Sequence, residues 1–222
     1  MARRGCSSKG PGEERYSRTS FNKMTVAKDL IQLGKLVAAQ HGWAEAKAFK
    51  AYEMADADKA RLAASAVEIL KVFPKAEAGE GAPMAAWLSA ALAVQLERHL
   101  SAPVHVVAGV LAVDGVPVYG RRAPVDGAAV FGAEDLLWSG HVWVMVGPYV
   151  VDIGLFRAAN SADCPAELAR HVHSVFGQDK GLYVDLWRRT RHSGLSYEPQ
   201  YVLSREEVTR LMGGAYRLIA PD

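Results

Sequence analysis

Two short apolar runs joined by Gly147-Pro148 form the clearest hydrophobic pattern in the chain. β-branched and aromatic residues dominate 141–146 and 149–153, and Gly-Pro is a strong turn signal, so the runs predict a β-hairpin. A two-residue loop places Val146 opposite Tyr149. Because side chains alternate between the two faces of a sheet, one face of this hairpin is apolar throughout and belongs in a core. That face carries Val142, Val144, Val146, Tyr149, Val151 and Ile153.

Apolar positions at helical spacing come before this hairpin. They predict one helix over about 25–40 and a second helical region over 44–73, broken near Asp56-Ala57-Asp58. Pro83 is well placed to open a further helix, which runs to about His99. This helix is apolar almost all round, a pattern typical of a buried central helix.

Strands and a few helices fill the rest of the chain, which gives an α+β pattern of helices first and an antiparallel sheet afterwards. Asp114-Gly115 is a hairpin turn signal between two of these strands. Ser204 and Glu207 form a capping box, and the helix that they open is predicted to end at Gly213-Gly214. The predicted strands are 104–113, 116–119, 181–187, 200–203 and 215–219, and a helix is predicted over 165–176.

Composition places the chain among globular proteins with a sizeable core. Half of the 222 residues are hydrophobic, and the formal net charge is +2, too close to neutral to predict a nucleic-acid partner. Residues 1–22 are rich in Gly, Ser, Arg and Glu and predict a disordered tail. Residues 23–222 predict a single domain, with a helical region over 23–74 and the central helix and sheet over 80–222.

Expectations about the cellular compartment and about cofactors rest on sequence features that are absent. It has two cysteines, no stretch near the ~20 apolar residues of a membrane span, and no secretory signal, so a cytoplasmic protein without a membrane partner is expected. No nucleotide-binding loop or metal-ligand spacing stands out, so no cofactor and no metal are expected. Arg188, Arg189 and Arg191 are interpreted as a solvated surface.

The second face of the hairpin brings an imidazole and a carboxylate close together. His141 begins the first strand, and Asp152 lies near the end of the second strand on the same face as Trp143. Diagonal neighbours have Cβ atoms roughly 7 Å apart, within reach of a His–Asp hydrogen bond. A carboxylate that holds one imidazole nitrogen leaves the other to accept a proton. The pair is therefore two members of a catalytic triad or, alternatively, an ordinary half-buried ion pair.

A buried helix followed by strands, with GHVWV at one strand start and VVDIG on the next, resembles the papain-like cysteine proteinase superfamily. More narrowly, it is similar to the transglutaminase-like branch and its small bacterial relatives of unknown function. The resemblance covers about 80–154, roughly a third of the chain. It implies a papain-like fold in which His141 is the general base, Asp152 orients it, and a cysteine opens the central helix.

The chain departs from that pattern at the nucleophile. The segment GAPMAAW has no cysteine, and Met84 stands nearest to the expected place. A thioether cannot form the thiolate that attacks an acyl group. The backbone N–H groups around Met84 and Ala85 can still bind an anion or a carbonyl oxygen. With Trp87 and Trp143, these two residues form the candidate binding set.

Cys164 is the alternative nucleophile. It precedes Pro165 at the start of a predicted helix, where the helix dipole is expected to lower the pKa of the thiol. A capping or half-buried thiol is the competing interpretation. Ser89 is interpreted as a small packing residue of the central helix.

Three hypotheses follow from these residues. The first is a catalytically degenerate thiol hydrolase or acyltransferase relative that keeps a His–Asp cleft and binds a peptide, acyl or protein ligand. The second is an active cysteine hydrolase or acyltransferase that uses Cys164 with His141 and Asp152. The third is a structural scaffold or interaction protein, because a fold does not by itself confer a function.

Overall fold

A computed structural model describes residues 31–73, 81–133 and 136–219. The predicted tail, 1–22, lies outside the described residues. The helices are α1 (described over 31–41), α2 Trp43–Ala51, α3 Asp56–Val72, α4 Gly81–His99, α5 Gly127–Gly132, α6 Leu155–Ala159, α7 Ala166–Phe176, α8 Trp187–Thr190 and α9 Arg205–Ile219. The strands are β1 Val104–Val113, β2 Val116–Tyr119, β3 His141–Val146, β4 Tyr149–Asp152, β5 Tyr183–Leu186 and β6 Leu195–Val202.

The described strands form one antiparallel sheet, which confirms the α+β class. Its order is β2-β1-β3-β4-β5, and β6 pairs with β1. The long strand β1 pairs with β3 over its first residues, with β2 near its end, and with β6 from Val107 onward. The register with β6 shifts at Gly109, where a Cβ atom would collide with the carbonyl oxygen of Glu198. Glycine is needed there because the backbone of the neighbouring strand is too close for a side chain.

The hairpin that dominates the sequence pattern has the predicted register. Val146 pairs with Tyr149, and Val144 pairs with Val151. The predicted apolar face packs into a core cluster that also holds residues of α3, α4 and α9. The central helix α4 is therefore packed against this face, as the sequence predicts.

The opposite face of the sheet is also buried, beneath a second helical layer that the sequence pattern did not predict. Trp143, Met145 and Val150 lie in a second core cluster together with residues of α1, α2, α6 and α7. All ten residues of β1 are buried, because helices cover both of its faces. The His141 side of the hairpin is therefore an interior surface and not the floor of an open cleft.

The predicted end of the last helix is wrong. Helix α9 continues through Gly213-Gly214 to Ile219, where an edge strand was expected. A Cβ atom at Gly214 would lie 2.7 Å from Nε1 of Trp87 on α4. The glycine permits close approach of two packed helices, and Leu211 and Ala215 bury the α9 face around it. No helix within the described ranges is both long and apolar enough to span a bilayer.

Candidate functional site

The structure brings His141 and Asp152 together. His141 is the first residue of β3, Asp152 is the last residue of β4, and His141 Nε2 lies 2.6 Å from Asp152 Oδ2. Both residues are buried, with 1% and 0% of their surfaces exposed. Within the described residues His141 Nδ1 has no hydrogen-bond partner. When Nε2–H donates to the carboxylate, Nδ1 is therefore an available acceptor.

Asp152 accepts three further hydrogen bonds, all from groups of the fold. The Tyr197 hydroxyl donates to Oδ2 at 2.9 Å, and the backbone N–H groups of Gly154 and Leu155 donate to Oδ1 at 2.9 Å each. These amides stand at the start of α6, so the carboxylate also caps that short helix. Burial and the adjacent Asp152 raise the pKa of Tyr197 well above its ordinary value, which keeps the hydroxyl a neutral donor.

Tyr197 is a site residue that the sequence did not predict. It lies on β6, which follows the hairpin by more than forty residues, and no local motif connects it with Asp152. The one signal in the sequence is its position in LSYEPQYV, where Leu195 and Tyr197 alternate with more polar residues. That alternation indicates an inward-facing tyrosine, and a buried hydroxyl needs a partner.

Aromatic rings enclose the His141 imidazole. Tyr119 stacks on it with ring centroids 5.8 Å apart, and Trp143 stacks at 6.3 Å. The Tyr197 ring contacts both His141 and Trp143, at 6.2 Å and 5.2 Å. Trp143, a predicted binding residue, is 1% exposed, so its place is in the wall that holds the imidazole.

The start of α4 packs on the other side of the sheet. Met84 is buried in the cluster beneath Val142 and Val144, whereas the His141 ring stacks among the aromatic side chains of the opposite face. Ala85 approaches the loop after Asp152, where a Cβ at Gly154 would lie 2.9 Å from Ala85 Cβ. The first turns of α4 therefore pack against the loop that follows Asp152.

Tyr119 lies between Cys164 and the His141–Asp152 pair. The Tyr119 ring stacks on His141, and the Cys164 thiol lies near enough to the Tyr119 hydroxyl to contribute, after burial, to its raised pKa. The expectation of a lowered thiol pKa is wrong. Burial raises the pKa of Cys164, and the thiol donates to the Pro165 carbonyl oxygen at 3.3 Å. Helix α7 begins at Ala166, and desolvation of the thiolate outweighs any effect of its dipole.

Trp87 lines a cavity of about 730 Å³ between α4, α5 and α9. Phe131, Leu136 and Leu211 supply apolar surface beside it, and Arg210 and Arg217 supply positive charge. Arg210 Nη1 donates to the Phe131 carbonyl oxygen at 2.7 Å, so this guanidinium is partly committed to the end of α5. Arg217 is exposed and has no partner among the described residues.

The segment after β5 is built into the fold. Trp187 is 5% exposed, and its Nε1 donates to the Tyr197 carbonyl oxygen at 3.0 Å. Arg191 Nε donates to Ser196 Oγ at 3.1 Å. Arg188 and Arg189 are exposed, as expected for a solvated surface. In the described part of the chain no three His, Cys, Asp or Glu residues are grouped to hold a metal ion.

Comparison with protein-family models, with curated proteins and with solved structures finds no match for this chain.

Proposed function

We propose that the chain is a papain-like or transglutaminase-like protein without covalent catalysis that binds an acyl ligand carrying a carboxylate. The cavity beside Trp87 carries the proposal, because it opens next to the helix on which the resemblance places the nucleophile. One observation argues against catalysis at this helix: Met84 stands in place of the thiol. In this proposal the His–Asp pair stabilises the sheet that supports the cavity.

The chemistry of the cavity favours an apolar chain with an anionic end. Trp87, Phe131 and Leu136 offer aromatic and aliphatic surface for the chain. Arg217 offers a guanidinium whose donors match a carboxylate. A cavity of this size falls within the range of small-molecule sites and accommodates a medium-length acyl chain.

Octanoate is the probe for this proposal. We expect it to bind, and we expect Arg217→Ala to weaken its affinity about fivefold, because an exposed ion pair contributes up to about 1 kcal/mol. Isothermal titration calorimetry measures both affinities. Octanol, which has the same chain without the charge, is expected to bind Arg217→Ala and the unchanged protein equally.

Arg188→Ala is the matched control, because Arg188 is an exposed arginine on α8, away from the residues that line the cavity. It is expected to leave the affinity for octanoate unchanged. Absence of octanoate binding, or an equal loss in the two arginine variants, contradicts the proposed ligand class.

The position of Tyr119, which stacks on His141 and lies near Cys164, favours a second candidate function, an active cysteine hydrolase or acyltransferase. Here Cys164 is the nucleophile, and His141 Nδ1 takes the thiol proton after Tyr119 moves aside. This candidate requires a thiolate at neutral pH, whereas burial raises the pKa of the thiol.

Iodoacetamide labelling distinguishes the two candidates. We expect Cys164 to react at pH 7.5 more slowly than free cysteine, because a raised pKa and partial burial both lower the accessible thiolate fraction. Mass spectrometry of labelled peptides follows this residue separately from Cys6. Labelling of Cys164 faster than free cysteine, lost in His141→Ala, would instead establish an activated thiol.

A further inference from the structure

His105 is a buried histidine without a hydrogen-bond partner. Its side chain is 2% exposed on the first part of β1, and neither ring nitrogen has a partner within the described residues. A buried polar group of this kind is destabilising unless something else satisfies it. Burial and the neighbouring His41 lower the pKa of His105 to about 4, so at neutral pH the ring offers one donor and one acceptor.

A cavity of about 610 Å³ lies beside this ring, at the edge of β1 where β6 ends. The Leu203 N–H donates to the Val106 carbonyl oxygen at 2.9 Å, which continues the pairing of β6 along the β1 edge by one residue. Residues of α1, α2, α4 and α9 line the cavity together with β1. Its volume is within the range of small-molecule sites, and His105 lines it.

The charged groups of the cavity favour a cation. Glu45 and Glu97 contribute two carboxylates and Arg205 one guanidinium, which gives a formal charge of −1 when the histidines are neutral. Glu45 Oε1 lies 3.7 Å from His105 Nε2, too far for a direct hydrogen bond. Each His105 ring nitrogen exposes less than 1 Å² of surface, so a donor atom reaches Nε2 from this side when the Glu45 side chain, 40% exposed, turns to make room for it. His41 Nε2 is already engaged with the Leu203 carbonyl oxygen at 3.0 Å.

Part of the remaining wall is apolar, with Ala93 and Val94 on α4 and Val104 and Val106 on β1. These side chains match a short alkyl group. A bound metal ion does not suit the site, since the described residues hold no group of three ligating side chains. An organic cation needs fewer fixed ligands and can use the apolar wall as well.

We propose that this cavity binds a small molecule with a protonated primary amine on a short alkyl chain, with the ammonium group between Glu45 and His105. The ammonium donates to the Glu45 carboxylate and to the imidazole acceptor, and the alkyl part lies against the valines and alanine of the wall. Binding therefore satisfies the orphaned ring of His105. The site is separate from the Trp87 cavity and does not depend on it.

The test uses n-butylamine as the probe, at pH 7.5, with n-butanol and butyrate as uncharged and oppositely charged analogues of similar size. Long-range ¹H–¹⁵N correlation spectra report on the His105 ring, whose signals are assigned by their loss in His105→Gln. We expect n-butylamine alone to shift the His105 signals in a saturable manner. Titration to about 50 mM is enough to fill even a weak millimolar site.

Glu45→Gln is expected to weaken n-butylamine binding about fivefold to tenfold, because it removes the charge that faces the ammonium. Glu53→Gln, at an exposed glutamate outside the cavity lining, is the matched control and is expected to bind normally. Arg217→Ala is also expected to bind normally, which separates this result from that of the octanoate experiment.

Three outcomes overturn the inference. The first is an unshifted His105 spectrum throughout the n-butylamine titration, the result expected if water alone fills the cavity. The second is equal binding of butyrate or n-butanol, which removes the preference for a cation. The third is unchanged affinity in Glu45→Gln with normal folding by circular dichroism, which removes Glu45 from the site.

Discussion

Replacement of Asp152 by alanine is expected to lower the free energy of unfolding by about 3–5 kcal/mol. The carboxylate accepts hydrogen bonds from His141, from Tyr197 and from the backbone amides of Gly154 and Leu155. The side chain is fully buried, so water cannot replace it at these donors without opening the core. Loss of one residue therefore leaves several buried donors without an acceptor.

Urea denaturation followed by circular dichroism measures this effect. Tyr197→Phe removes one donor from the network and is expected to cost about 1 kcal/mol. Asp163→Ala is the control, because Asp163 is exposed, and its effect is expected to stay within about 0.5 kcal/mol. A cost below about 1 kcal/mol for Asp152→Ala would contradict a stabilising role for the network.

A second substitution at this position, Asp152→Asn, separates a structural role of the pair from a functional one. If the pair stabilises the sheet, Asp152→Asn alters stability and leaves the octanoate affinity of the folded protein unchanged. If His141 is instead the base that takes the proton of the Cys164 thiol, Asp152→Asn slows iodoacetamide labelling of that thiol. The reason is that an incorrectly held imidazole is a poorer base. The two measurements use one protein preparation, so the stability effect and the chemical effect can be compared directly.

The hairpin could be predicted because its information is local. Alternation of side chains fixes which residues share a face, and Gly147-Pro148 fixes the register of Val146 opposite Tyr149. The same reasoning predicted the proximity of His141 and Asp152. The boundaries of β1 and β2 were also predicted, because Asp114 and Gly115 are suited to the positive φ values of the turn, 48° and 85°.

The burial of the pair could not be predicted from the same pattern. Tyr119 and Tyr197, which contact the pair, lie on β2 and β6, before and after the hairpin in sequence, and the helices that bury this face of the sheet are α1, α2, α6 and α7. Helical periodicity identifies the apolar face of each helix but not the sheet face against which it packs. The expectation of a lowered Cys164 pKa was wrong for a related reason. The sequence shows that Cys164 precedes a helix, but it does not show that residues distant in sequence bury the thiol and raise its pKa.

The pH dependence of stability is expected to contain a large contribution from His105. Its pKa is lowered from an ordinary value of 6.5 to about 4, so between these values the unfolded chain binds a proton that the folded protein does not. Stability therefore falls as the pH falls from 6.5 to 4 and loses about 3 kcal/mol over that window, while above pH 6.5 this residue contributes no slope.

Urea denaturation at several pH values measures this slope in the unchanged protein and in His105→Gln, which cannot titrate at this position. We expect the variant to lose most of the slope between pH 4 and 6.5, because glutamine takes up no proton. The charged and titratable groups that face the ring or share its cavity stay in place in this variant: His41, Glu45, Glu97 and Arg205. His192→Gln, at an exposed histidine, is the control and should retain the slope. An identical slope in His105→Gln would show that folding does not lower the pKa of His105.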